Sequence, residues 1–301
     1  MKKINNKTIK QMIDNRSAYV LLLPFFILFA LFIVWPLLLT FALSLTSYNV
    51  FELPVFIGWQ NYVNLFVNDE VFAISVRNTL MFSLIVGPLG FFLSLFFAWI
   101  INEMPSGVRE VATLIFYAPS ISGTAFAIWL LIFDGDIYGY LNSFLIRFNA
   151  ITEPVAWLQT PKYMPAAVII VQLWLSMGTA FLAMRAGFTT VDRQLYESGM
   201  VDGVRNRWQE LWYITLPAMK PHLILSSILS ITAAFSIEVV PTALTGFPSV
   251  DYATQTMMQT VRDYGLVRME RGYACAMATL VFLLTLGANK FARKIIDKVG
   301  R

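Results

Sequence analysis

The feature that most constrains this chain is a series of apolar runs, each long enough to cross a lipid bilayer as a helix. The runs cover about 18–46, 76–101, 111–133, 165–188, 222–244 and 272–292. A membrane helix needs about 20 apolar residues. Because backbone groups in lipid must be bonded within the protein, the runs predict helices, and they lack the alternation of a membrane β-barrel. The predicted fold class is an all-α membrane protein with six transmembrane helices.

The composition of the chain argues against a water-soluble protein. Of its 301 residues, 57% are apolar and 13% are charged, and the mean hydropathy is +0.65. A soluble domain carries about 25% charged residues, so a soluble globular domain, a disordered chain and a nucleic-acid-binding module are disfavoured. One cysteine and one histidine make a Cys/His metal site implausible. The runs contain no paired carboxylates for acid–base catalysis, so we expect a transport function rather than an enzyme.

The first run follows a basic segment, an arrangement that secretory signal peptides also have. The apolar core of a signal peptide is only about 7–15 residues long. The run here is longer, and it contains Pro24 and Pro36. We therefore expect a polar tail over 1–17, a retained and bent first helix, and a transmembrane domain over 18–301.

The distribution of basic residues predicts the orientation in the membrane. Sixteen of the 22 Lys and Arg residues lie in the two tails, the 102–110 turn and the 185–221 segment, whereas five lie in the segments between them. Cytoplasmic loops carry the excess of positive charge. Both termini and the 185–221 segment are therefore expected in the cytoplasm, which fits an even number of spans.

A short amphipathic stretch lies in one of the predicted outer segments. Residues 136–149 carry apolar side chains at helical spacing and are interpreted as a short interfacial helix. Plain loop packing explains the same pattern equally well.

The most informative segment lies between the fourth and fifth runs. Residues 189–221 read TTVDRQLYESGMVDGVRNRWQELWYITLPAMKP. Their apolar spacing predicts two short amphipathic helices, interrupted by glycine and ended by proline. Such an aromatic-rich loop is typical of a helix that docks in a groove of another protein. A helix lying in the membrane interface has the same features, and the residues alone favour neither interpretation.

This segment resembles the coupling motif of the permease subunits of ABC importers, known as the Glu-Ala-Ala loop, and especially that of maltose-type carbohydrate permeases. The matching residues are Glu197, Ser198, Gly199, Asp202, Gly203, Ile214, Leu216 and Pro217. Ser198 and Gly199 stand in place of Ala-Ala. The spacing from Gly203 to Ile214 is one residue longer than in the commonest form of the motif.

The resemblance covers most of the chain. Further matches are the Pro-containing first helix, an external G-x-x-N segment at Gly139 to Asn142, a shortened T-x-G-G-P loop at Thr245 to Pro248, and the G-Y-A-x-A start of the last helix at Gly272 to Ala276.

The resemblance implies a type I ABC importer permease fold with a cytoplasmic coupling loop over 189–221. It implies ATP-driven uptake of a carbohydrate, specifically an oligosaccharide, delivered by an extracytoplasmic solute-binding protein. The implied partners are a second homologous permease and an ABC ATPase dimer, with the bacterial cell membrane as the location and no nucleic acid involved. Glu197 would pair with a basic group of the ATPase. The chain has no phosphate-binding G-x-x-x-x-G-K-[ST] loop, so ATP and Mg would bind to the ATPase and no cofactor to this chain.

The resemblance also implies a substrate path. Polar residues at membrane depth face a bundle interior or water, although small and hydroxylated residues also serve close helix packing. The positions that match sugar-contacting residues of maltose-type permeases are Gln172, Ser176, Thr179, Ala233 and Ser236.

Glu238 is the one acid deep in a predicted span, where a helical wheel places it on one face with Ser227, Ala234 and Thr242. It is either a gating carboxylate or an acid near the outer mouth, hydrated or paired with an Arg of the 245–271 loop, and we favour the second.

Two other functions stay open. An ABC importer for another solute, such as a glycerol phosphodiester or an oligopeptide, would have the same coupling loop. An ion-coupled secondary transporter uses ionisable groups and broken helices near the midplane, and here only Glu238 is a candidate.

Overall fold

A computed structural model of the chain describes residues 16–298. The predicted tail 1–17 therefore lies almost entirely outside the described residues, as do residues 299–301. The helices of the first half are α1 (Arg16–Phe29, continued by the π turn Ala30–Val34 and by Trp35–Leu43), α2 (Gln60–Val67), α3 (Glu70–Asn102), α4 (Ser106–Ile121), α5 (Ala127–Ile132) and α6 (Tyr140–Arg147).

The helices of the second half are α7 (Met164–Thr190), α8 (Arg193–Val201), α9 (Arg207–Gln209, the π turn Glu210–Thr215 and Leu216–Ala218), α10 (Lys220–Phe235), α11 (Val239–Thr245), α12 (Met257–Arg262, continued by the π turn Asp263–Val267) and α13 (Arg271–Ile296). A short antiparallel hairpin pairs β1 (Thr46–Ser47) with β2 (Val55–Phe56).

The first helix continues through both of its prolines. Proline lacks a backbone N–H and interrupts the i→i−4 ladder. The π turn Ala30–Val34 ends two residues before Pro36, and the helix continues beyond this proline to Leu43. None of the apolar window of this helix is buried within the described chain. The helix therefore presents its surface to lipid or to another subunit.

The centre of the bundle consists of α3, α7 and α10, with α4 packed on α7 and α13 packed on α10. Small residues allow close approach of these helices, as is usual where packing rather than water drives association. A Cβ on Gly90 of α3 would lie 3.0 Å from Ser176 Oγ of α7. Large side chains such as Phe82 of α3 and Phe181 of α7 are fully buried in this bundle.

Five helical segments of the described residues are long and apolar enough to cross a membrane: Tyr19–Leu43, Glu70–Asn102, Met164–Thr190, Lys220–Thr245 and Arg271–Ile296. They correspond to five of the six predicted runs. The prediction of one continuous helix over 111–133 is wrong, because α4 ends at Ile121 and α5 begins only at Ala127. Ser122 adopts an extended conformation with ψ 106°. Pro119 and the Ser122-Gly123 pair favour this break locally, but the apolar periodicity hides it.

The fifth predicted run, 222–244, is also interrupted. α10 ends at Phe235, and Glu238 has non-helical angles of φ −142° and ψ −51° before α11 begins. The carbonyl of Ile237 accepts a hydrogen bond of 2.6 Å from Thr256 Oγ1. This tertiary bond satisfies a backbone group that the broken helix leaves open. The predicted wheel face that joined Ser227 to Glu238 is therefore wrong, because the wheel assumes an unbroken helix.

Within the predicted interfacial stretch 136–149, the structure has the shorter helix α6. Asn142 is fully buried, and its amide nitrogen donates to the carbonyls of Asp134, Asp136 and Val155. Its Oδ1 accepts from Trp157 Nε1 at 2.8 Å. Asn142 thus holds three chain segments together.

Candidate functional site

The first helix of the candidate coupling loop has clear start and stop signals. Asp192 caps α8, and its carboxylate accepts from the backbone N–H of Gln194 at 3.0 Å. At the other end, Gly203 donates to the Met200 carbonyl at 3.3 Å, and Val204 donates to the Gly199 carbonyl at 2.9 Å. These two bonds form a Schellman motif. Gly203 has φ +95°, a conformation that other residues rarely adopt.

The second helix of the loop, α9, starts at a cap provided by Asn206. Its side chain accepts from the backbone N–H of Gln209 at 2.8 Å, and the Gln209 side chain accepts from the Arg205 N–H at 2.8 Å. The helix then runs through the π turn to Ala218. The two amphipathic helices predicted for this loop are thus present, separated by the turn at Gly203.

The two helices of the loop contact each other through residues of the motif. Gly199 is buried, and a Cβ added to it would lie 2.5 Å from Ile214 Cδ1. Beside this contact, the hydroxyls of Tyr196 and Thr215 share a hydrogen bond of 2.9 Å. The glycine that stands where the motif has alanine therefore allows the helices to approach closely.

The second helix is anchored in the base of the bundle. Leu211 and Leu216 are buried, with exposed fractions of 7% and 6%. They share a cluster with Ile101 of α3 and with Phe181 and Met184 of α7. Burying a leucine side chain contributes about 1.5–3 kcal/mol, so this contact fixes α9 against the transmembrane helices.

Several apolar side chains of the loop are exposed. Val201 is 88% exposed, Tyr213 68% and Trp212 63%, and Met200 lies beside them. Exposed apolar side chains of this kind can contact another protein or a membrane. Glu197 is also exposed, and within the described residues its carboxylate has only a loose contact of 3.8 Å with Arg193.

The candidate path residues lie in two regions. Gln172, Ser176 and Thr179 share one face of α7, since they are four and seven residues apart. Ser176 Oγ donates to the Leu173 carbonyl of its own helix at 3.0 Å. The side-chain amide of Gln172, which is half-buried, has no hydrogen-bonding partner among residues 16–298.

The other two path positions lie near the end of α10. Ala233 is half-buried within the helix, and Ser236 is exposed just beyond its last residue.

Glu238 has an arginine partner, which is one of the two surroundings that the favoured interpretation allows. Its Oε1 accepts from Arg262 Nη1 at 2.9 Å, and the Glu238 side chain is 20% exposed against 62% for Arg262. Both residues line a cavity of about 700 Å³ that α1, α12 and α13 also border. The acid is thus paired with an Arg of the 245–271 loop.

Sequence reasoning missed a set of contacts between the loop and the C-terminal end of α3. Arg207 lies 3.4 Å from Glu103 and 2.7 Å from Glu210. The hydrogen bond that Arg207 donates to Glu210, and then the charge of Glu103, raise the pKa of the Arg207 guanidinium. Trp208 contacts Trp99, with ring centroids 4.7 Å apart. The sequence signal that could have indicated these contacts is the four-residue spacing of Trp99 and Glu103, which places both side chains on one face at the end of α3.

A second missed cluster lies at the N-terminal end of α3. Asp69 caps this helix by accepting from the Phe72 N–H at 2.7 Å. Its other carboxylate oxygen accepts from Tyr264 Oη at 3.2 Å and from Tyr273 Oη at 3.0 Å. Burial, followed by the charge of Asp69, raises the pKa of Tyr264.

Comparison with known proteins gives related permeases over almost the whole chain. The sulfoquinovosyl glycerol transport system permease protein SmoG of Agrobacterium fabrum is 30% identical over 94% of this chain and 91% of its own length. The trehalose/maltose transport system permease protein MalF of Thermococcus litoralis is 30% identical over 96% of this chain and 95% of its own length.

The fold has a counterpart among solved structures, namely a bacterial alginate ABC transporter in complex with a periplasmic protein that holds an alginate pentasaccharide. The TM-score is 0.75 at 24% identity, over 97% of this chain and 98% of that chain. Residues 107–300 match the family model described as binding-protein-dependent transport system inner membrane component. The chain belongs to this family of binding-protein-dependent transport system inner membrane components.

Proposed function

We propose that this chain is a transmembrane subunit of an ATP-driven ABC importer that takes up a carbohydrate, specifically an oligosaccharide. It forms the pore with a second homologous permease, receives its solute from an extracytoplasmic binding protein, and couples to ABC ATPase subunits that bind ATP and Mg. The observation that carries the proposal is the two-helix loop at 193–218, whose motif residues pack together at Gly199 and Ile214 while several of its apolar side chains stay exposed.

The coupling role follows from how the loop is built. Its buried side, around Leu211 and Leu216, joins the base of the bundle, so the loop moves with the transmembrane helices. Its exposed side offers Val201, Trp212 and Tyr213 to a groove of the ATPase. Glu197 lies exposed near this surface, where a basic group of the ATPase can replace its loose contact with Arg193. The alternative is that this surface lies in the membrane interface and contacts lipid headgroups.

The proposed topology has six crossings with both termini in the cytoplasm. Five segments can cross on their own, and an odd number would place the two basic tails on opposite sides. α4 is about 24 Å long at 1.5 Å per residue, and α5 adds about two turns beyond the break. Together they match a hydrocarbon core of about 30 Å, so residues 106–132 complete the sixth crossing.

The carbohydrate assignment rests on the names of the relatives and on the chemistry of α7. Two relatives are named for the transport of sugars or sugar derivatives, and the alginate transporter is in complex with a periplasmic protein that holds an oligosaccharide. The free amide of Gln172 offers two donors and an acceptor for a solute rich in hydroxyls. Ser176 and Thr179 extend the same face, while Ala233 and Ser236 contribute from the end of α10. Among the described residues, the only charged path candidate is Glu238, and Arg262 pairs with it.

Co-purification tests the coupling role. Glu197→Arg reverses a charge at the ATPase contact, and Gly203→Pro cannot adopt φ +95°. We expect both variants to reach the membrane and to lose the ATPase. Glu153→Arg, the same charge change at an exposed site outside the loop, and Gly203→Asn, which tolerates a left-handed turn, should keep it. A full complex with both loop variants would contradict the coupling role.

Uptake into proteoliposomes tests the transport function. The complete complex should take up an oligosaccharide only with ATP and the binding protein present. Uptake driven by an ion gradient alone would establish a secondary transporter instead. Preference for a glycerol phosphodiester or an oligopeptide, measured by competition against the labelled sugar, would refute the carbohydrate assignment and keep the ABC importer.

A further inference from the structure

A contact surface outside the coupling motif links the loop to α3. Arg207 Nη2 lies 3.4 Å from Glu103 Oε2, while Nη1 donates to Glu210 Oε2 at 2.7 Å. The next residue, Trp208, contacts Trp99 with ring centroids 4.7 Å apart. Trp99 and Glu103 are one helical turn apart, so they lie on the same face at the end of α3. Two consecutive residues of α9 therefore contact this one face.

The connectivity of the chain explains why α3 needs such a contact. α7 leads into α8 through two residues, and α9 leads into α10 through one. Movement of the loop therefore reaches α7 and α10 through the backbone. α3 has no such connection, although it packs on both helices and carries Gly90 against Ser176. The end of α3 can follow the loop only through side-chain contacts, which are the apolar cluster around Ile101 and the contacts of Arg207 and Trp208.

The π turn in α9 sets the register of these contacts. In the resemblance to the coupling motif, this chain has one residue more between Gly203 and Ile214 than the commonest form. A π turn holds about one residue more than an α turn, because its hydrogen bonds join residues five apart. Residues Glu210–Thr215 form such a turn. The extra residue thus fits between two fixed points, Ile214 against Gly199 and Trp208 against Trp99.

The ion pair between Arg207 and Glu103 is exposed, so it can form and break without a large change in the stability of the protein. The Arg207 side chain is 65% exposed and that of Glu103 is 41% exposed. Exposed pairs contribute little to stability because water screens them. Breaking this pair should therefore leave the fold and the complex intact, while α3 follows the loop less firmly.

We propose that Arg207 and Trp208 form a clamp that passes movement of the coupling loop to α3, with Arg207 as a positioning residue for the ATP-driven conformational change. The clamp rests on the proposed function, since it needs an ATPase that moves the loop. It is a feature of this chain that the motif residues alone do not supply.

A double-mutant cycle in the assembled complex tests the clamp. The variants are Glu103→Gln, Arg207→Gln and the two combined, and the readout is the ratio of binding-protein-stimulated to basal ATP hydrolysis. Each single variant should lower this ratio about 2- to 5-fold. The combined variant should be no worse than Arg207→Gln, because both changes remove the same contact. Arg293→Gln, at the exposed C-terminal end of α13 and outside the loop, is the matched control, since the Arg293 side chain has no ion pair among residues 16–298, and it should keep the wild-type ratio.

Trp208→Ala provides a second test that does not depend on charge. Loss of an aromatic pair should lower the same ratio about 2- to 10-fold, with the yield of purified complex unchanged. Wild-type ratios in all the clamp variants, or losses that multiply in the combined variant, would overturn the clamp. A fall in complex yield that matches the fall in the ratio would also overturn it, because the residues would then be structural. A wild-type chain that never assembles with an ATPase would instead refute the proposed function.

Discussion

Gly199 and Ile214 lie in contact across the turn of the coupling loop, and a Cβ at Gly199 would come within 2.5 Å of Ile214 Cδ1. The two residues come from separate halves of the motif, so their contact joins the halves into one unit. The absence of a side chain at Gly199 thus allows the two short helices of the loop to pack closely.

A larger side chain at Gly199 should disrupt the loop, and a smaller side chain at Ile214 should compensate for it. Gly199→Leu should separate the helices and cost about 1–3 kcal/mol of loop stability, seen as a large loss of ATPase co-purification at normal membrane levels. Adding Ile214→Ala should restore most of the complex, because the space vacated by isoleucine receives the leucine. If the double variant were as defective as Gly199→Leu, the contact would not limit docking.

The capping carboxylate at Asp69 should stabilise the N-terminal end of α3. Asp69→Ala removes a helix cap and the acceptor for two tyrosine hydroxyls. We expect a loss of about 1–3 kcal/mol, measured as a lower Tm of the purified protein. Tyr273→Phe removes one of these bonds and should cost about 1 kcal/mol. Equal melting temperatures for wild type and Asp69→Ala would contradict this role.

The same cluster predicts a dependence on alkaline pH. The pKa of Tyr264 is raised in the folded protein, first by burial and then by the charge of Asp69. The folded state therefore holds this proton more tightly than the unfolded state. Its contribution is complete below the ordinary tyrosine pKa of about 10 and is lost as the pH rises above it. Stability should fall more steeply above pH 10 for wild type than for Tyr264→Phe, and identical slopes would refute the assignment.

The amide at Gln172 should affect transport more than folding. Gln172→Leu keeps a similar volume and removes the free amide, so we expect slower uptake and less solute-dependent stimulation of ATP hydrolysis with unchanged Tm. Gln159→Leu, the same substitution at an exposed glutamine outside the proposed path and the loop, is the matched control and should transport normally. Unchanged uptake by Gln172→Leu would remove this residue from the proposed path.

The spans and the loop helices were predictable because their signals are local. Long apolar runs locate five membrane-length segments, and glycine and cap residues mark both ends of α8. The family prediction from the coupling motif is confirmed. The assignment of individual coupling and path residues stays a prediction.

The breaks at Ser122 and near Glu238 were not predictable from periodicity. The second break depends on a hydrogen bond from Thr256, and the contact between Arg207 and Glu103 joins distant parts of the chain. Such pairings follow from tertiary packing, which the spacing within a single segment does not contain.

The most direct test of the account is cross-linking from the loop itself. Val201 is 88% exposed on the first loop helix. A Val201→Cys variant, with Cys275→Ser as background, can carry a photoactivatable cross-linker in native membranes. The account predicts a cross-link to the ATPase subunit and no reaction with a membrane-impermeant thiol reagent added outside intact cells. Labelling from the outside, or cross-links to lipid alone in the assembled complex, would contradict it.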